Sequence, residues 1–98
     1  MKGTEKQIAW AEDIKQKYIL AIDSRINEIT ESKFRRMTEE MRAEQLEEAK
    51  GFREWMLAHD EAIFWIDNRD IDSFRPWYGN RMKMLLADYK LLRQEGRA

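Results

Sequence analysis

Behind Thr4, apolar side chains recur at Ile8, Ala11, Ile14, Tyr18, Ile22, Ile26 and Ile29, at intervals of 3, 3, 4, 4, 4 and 3 residues. At about 100° per residue these positions fall within an arc of roughly 120°, the buried face of one amphipathic helix. Thr4 and Gln7 have the spacing of a capping box, in which the Thr hydroxyl accepts an orphan amide and the Gln side chain reaches back. With no Gly or Pro to interrupt it, the pattern predicts a helix over 4–30, about 40 Å long at ~1.5 Å per residue. Trp10, Ile19 and Leu20 lie outside or at the edge of the stripe. This predicts cover on more than one side, by the rest of the chain or by a second copy.

Lys33, Arg35 and Arg36 suit a helix C-terminus, and Thr38 followed by Glu39 and Glu40 suits a new N-terminus. The break therefore falls near Met37–Thr38. A second, strongly polar helix runs over 38–58 with Met41, Ala49, Phe52 and Met56 as its apolar edge. Gly51 inside it costs up to ~1 kcal/mol relative to Ala. Asp60 is the expected cap of a short helix holding Ile63, Phe64, Trp65 and Ile66. Residues 68–79 form a loop marked by Asp70, Asp72, Ser73, Pro76 and Gly79. Asn80 is the expected cap of the last helix, where Met82, Leu85, Leu86, Tyr89 and Leu92 share a face and Gly96 ends the run. The expected fold is all-α: one domain over 1–98 with three long helices and a short one, antiparallel in the main, with a homodimer in prospect.

Composition supports folding and removes several chemistries. The chain has four Trp, four Phe and three Tyr, large apolar surfaces that offset ordering entropy. It has no cysteine, which excludes disulfides, zinc fingers, iron–sulfur sites and thiol catalysis. The first residues are polar, and no apolar run is longer than Tyr18–Ile22, far short of the roughly 20 residues that span a bilayer. A cytoplasmic protein without a membrane segment is the expectation.

Catalytic and metal arrangements find little support. His59 is the sole histidine, and Ser24, Ser32 and Ser73 sit in no G-x-S-x-G context. His59, Asp60 and Glu61 are consecutive, so on a helix they point about 100° apart and do not converge on an ion. Asp67, Asp70 and Asp72 lack the glycine and terminal glutamate of a calcium loop. Position 56, three before His59, is Met rather than Glu, so the di-iron bundle motif is absent. The glycines build no phosphate loop. Neither enzyme activity nor a cofactor is expected.

Two segments resemble a pair found together in short, largely uncharacterised proteins of bacteria, phages and mobile elements. Residues 4–14, TEKQIAWAEDI, are similar to a T-E-K-Q-I-x-W-A-E-x-I opening. Residues 62–69, AIFWIDNR, are similar to a later A-x-[FW]-W-I-[DN]-x-R segment. The resemblance covers 19 of 98 residues and implies a phage or mobile-element origin rather than a particular activity. Trp10 and Trp65 are expected to pack where the first helix crosses the short one, with Asp67 or Arg69 pairing at the edge with Glu12, Lys6 or Gln7.

Charge is unevenly split: residues 1–68 hold 11 basic and 15 acidic side chains, and residues 69–98 hold seven and four. Arg69, Arg75, Trp77, Tyr78 and Arg81 together have the composition of a hot spot for a protein partner. The competing use is a stacking-and-phosphate surface for nucleic acid, formed by the 74–81 loop and the last helix. Alternatively, Phe74 and Trp77 simply close the core beneath the loop. The near-neutral total charge weighs against a dedicated nucleic-acid binder. The expected function is a non-enzymatic interaction protein of phage or mobile-element character. It would act by occupying a surface on another macromolecule, inhibition of a host defence nuclease being one form.

Overall fold

The computed structural model describes residues 1–31, 37–72 and 75–97. Four α-helices and a 3₁₀ turn make up its regular structure: α1 (Glu5–Thr30), α2 (Glu39–Leu57), α3 (Ala62–Asp67), the turn Pro76–Tyr78, and α4 (Asn80–Gln94). The all-α reading is correct, with three long helices and one short. Among the described residues, no helix is long and apolar enough to cross a membrane.

Local chemistry sets several helix ends where the sequence places them. The Gln7 N–H donates to Thr4 Oγ1 at 3.2 Å while the Thr4 N–H donates to Gln7 Oε1 at 3.0 Å, closing the capping box. Thr38 caps α2 by accepting from the Met41 N–H at 3.1 Å. At the far end of α4, Gly96 takes a φ of +71°. There the Gly96 and Arg97 amides donate to the carbonyls of Arg93 and Leu92 at 3.1 and 2.8 Å, the paired bonds of a Schellman motif. The basic cluster Lys33–Arg36 lies outside the described residues.

Two expected caps are different. Asp60 does not cap α3: the capping position is Glu61, which makes no side-chain cap bond. The N-terminal segment does that work, since the Ala62 N–H donates to the Lys2 carbonyl at 2.8 Å and the Lys2 N–H to the Asp60 carbonyl at 2.6 Å. A backbone strap thus satisfies an orphan amide that a side chain ordinarily serves. Asn80 is the first residue of α4, and Gly79 occupies the capping position.

Helix α1 is the spine. Helices α2 and α3 and the 3₁₀ turn pack on it, and α4 packs on α2 and the turn. Its stripe is buried at Ala11, Ile14, Tyr18, Ile22 and Ile29 and half-buried at Ile8 and Ile26. On α2, Ala49, Phe52 and Met56 are buried, but Met41 is exposed, so the apolar edge begins later than expected. Phe52 sits among the rings of Trp55, Trp77 and Tyr89, with centroids 5.9, 6.1 and 5.8 Å away. Gly51 is explained by the same cluster. A Cβ there would overlap the Tyr89 hydroxyl, so the helix accepts the propensity cost to let α4 approach.

Trp10 and Trp65 do not pack together as expected. Trp65 is 0% exposed, its ring 6.0 Å from that of Tyr18, and its indole N–H donates to the His59 carbonyl at 3.2 Å. Trp10 is 48% exposed, and Arg69 lies over its ring at 5.8 Å. The expected ionic pairing at that edge is therefore replaced by a cation–π contact. Seen down α1, Trp10 is about 80° from Tyr18 at ~100° per residue, and so it misses the seam.

Tyr18 provides a pH test of this packing. Its hydroxyl donates to the Asn68 carbonyl at 2.6 Å. Burial, opposed by Arg81 and assisted by Asp70, pushes its pKa up to about 12 from 10.0. The folded state thus keeps a proton that the unfolded state loses first, so stability falls as pH rises from 10 towards 12. Urea denaturation should show wild type losing on the order of 1 kcal/mol more than Tyr18→Phe between pH ~9 and ~11. Parallel losses in the two proteins would refute the assignment.

Candidate partner-binding groove

A concavity of about 700 Å³ lies between α1 and a facing wall that includes Ile71, Asp72 and the 3₁₀ turn. Lys17, Leu20, Ala21, Ser24, Arg25 and Glu28 form the α1 wall, opposite Ile71, Asp72, Arg75, Pro76 and Trp77. The α1 wall follows from helical period. Lys17, Ala21, Ser24 and Glu28 are spaced 4, 3 and 4 residues apart, which keeps them on one strip beside the buried stripe. The opposite wall is shaped by Asp72, whose Oδ1 accepts the Arg75 N–H at 2.9 Å, turning the chain into Pro76 at the start of the 3₁₀ turn.

Trp77 is half-buried. It meets the edge of Phe52 on the core side, while the Arg25 guanidinium lies 5.9 Å from its ring centre. It therefore closes the core and lines the groove at once. Leu20 is 65% exposed and lines the same groove. Arg25 pairs with Glu28 at 3.4 Å. Among the described residues, neither Lys17 nor Arg75 forms an ion pair.

Of the five residues read as a binding patch, the structure brings two together in this groove, Arg75 and Trp77. Arg81 faces Asp70 at 3.9 Å, and Arg69 is over Trp10. The Tyr78 side chain and Phe74 lie outside the described residues. Sequence reading missed the α1 half of the groove, Lys17, Leu20, Ser24 and Arg25. The available signal was Leu20, a large apolar side chain that fits no core stripe.

Part of the basic C-terminal charge is paired within the fold. Lys90 pairs with Glu48 at 3.3 Å, Arg93 with Glu47 at 3.0 Å and Arg97 with Glu95 at 3.1 Å. Such exposed pairs add little stability, but they weaken the local positive field that phosphate binding needs. His59 is also occupied structurally. It stacks on Phe64 at 3.7 Å and its Nδ1–H donates to the Trp55 carbonyl at 2.8 Å. No three His, Asp or Glu side chains converge on an ion site among the described residues. Comparison with protein-family models, curated proteins and solved structures finds no match.

Proposed function

We propose that this chain is a non-enzymatic interaction protein of phage or mobile-element character. It acts in the cytoplasm by binding another protein, inhibition of a host nuclease being one such action, through the groove between α1 and Trp77. The observation that supports this most is the pairing of an apolar floor with an open, charged rim. Leu20, Ile71, Pro76 and Trp77 supply the former, and Lys17, Arg25 and Arg75 the latter. Apolar clefts rimmed by a few polar groups are where binding energy concentrates, and aromatic and Arg anchors dominate protein interfaces. Among the described residues the groove brings one hydroxyl, Ser24, and no histidine, a poor set for general acid–base chemistry. A nucleic-acid role is disfavoured by the internal pairing of Lys90 and Arg93 with acids of α2.

Anisotropy with labelled single- and double-stranded DNA and RNA separates the two classes. At ~50 mM salt, where phosphate binding is strongest, no binding at micromolar protein is expected. Tight, steeply salt-dependent binding that disappears in Arg75→Ala/Arg81→Ala would transfer the function to nucleic acid.

A further inference from the structure

The chemistry of the groove also constrains its occupant, on the reading that the groove binds protein. Its charges are unequally satisfied. Glu28 is already engaged by Arg25 and Asp72 by the Arg75 backbone, whereas the ammonium of Lys17 and the guanidinium of Arg75 form no ion pair among the described residues. They stand on opposite walls of the same cleft. Each wall thus carries one cation without an ion pair among the described residues, Asp72 keeping its own charge beside Arg75, and the surface between holds Leu20, Ile71, Pro76 and Trp77.

The walls decide the backbone form of the ligand. An extended peptide gains affinity by adding to a sheet edge, and the described residues contain no sheet. Helix α1 uses its amides internally, and on the facing wall the Ile71 and Arg75 amides are already bonded to the Arg69 carbonyl and to Asp72. A helix satisfies its own backbone and presents only side chains. From Lys17 to Glu28 the α1 wall is about 17 Å long at ~1.5 Å per residue, the length of three helical turns.

We infer that the groove receives an acidic amphipathic helix of about three turns from a partner protein, with apolar side chains on Leu20 and Trp77 and carboxylates on Lys17 and Arg75.

The test is selection of random 16-residue peptides on the full chain, with counter-selection against Ser24→Trp, which fills the groove from an exposed position. Selected peptides should combine Asp or Glu with aliphatic or aromatic residues at i, i+3/i+4 and i+7. Leu20→Asn should weaken them at least tenfold, as should Lys17→Glu/Arg75→Glu. All these positions are exposed, and unchanged circular dichroism and melting temperature verify that each variant folds. Groove-dependent peptides that are neutral or basic, or that are indifferent to the charge reversal, would overturn the acidic-helix inference while leaving protein binding intact. Absence of any peptide that depends on the groove would overturn both.

Discussion

Trp65→Ala should lower stability by about 3–5 kcal/mol, the cost of emptying a core site of an indole. Trp65 is fully buried, packs on Tyr18 and donates its N–H to the His59 carbonyl, so truncation removes apolar contact and leaves a part-buried acceptor without its donor. A domain of this size shifts its melting temperature by roughly 4–8 °C per kcal/mol, which predicts a fall of about 12–40 °C. Trp10→Ala is the matched control, because its ring is 48% exposed and its cation–π contact with Arg69 is worth about 0.5–1 kcal/mol at such a site. Thermal unfolding of the two variants side by side checks the placement. Comparable losses would contradict it.

Phe52→Ala should cost a similar ~3–5 kcal/mol, with a consequence that Trp65→Ala lacks. Phe52 lies among Trp55, Trp77 and Tyr89, and Trp77 is a wall of the groove. Removing Phe52 withdraws the support behind that wall. With 5-fluorotryptophan incorporated, the Trp77 fluorine resonance should shift and broaden in the folded variant while that of Trp10 stays in place. Phe52→Leu, which fills much of the volume, should recover most of the stability. A Trp77 signal unmoved in Phe52→Ala would separate the groove from the core and refute the coupling.

The two substitutions divide what is local from what is not. The Thr4–Gln7 and Thr38 caps and the Gly96 terminus each involve groups within a few residues of one another, so their physics is complete in a short window of sequence. The α1 stripe is equally local, since helical period alone aligns Ala11, Ile14, Tyr18 and Ile22. Asp60 and Asn80 are good capping residues by type, yet neither caps. At α3 the orphan amide is met by Lys2, sixty residues away in the chain, and no local pattern announces such a partner. Resemblance between two Trp-containing segments likewise could not tell that Trp65 is core and Trp10 surface.

The same distinction governs the candidate site. Composition made Arg75 and Trp77 visible, because Arg and aromatic residues in a loop are informative wherever they occur. Lys17, Leu20 and Ser24 are ordinary residues on a helix, and only the return of the chain through Ile71 to Trp77 makes them one wall of a cleft. The basic excess of the C-terminal third also reads differently in the fold, where α4 sets Lys90 and Arg93 beside Glu48 and Glu47 of α2. By itself, the sequence determined helices, most of their ends, the all-α class and the buried face of α1, because these follow from interactions at separations of three or four residues. Tertiary structure alone decided which tryptophan is buried, which charges stay uncompensated and where the groove lies. Those depend on side chains brought together from opposite ends of the chain.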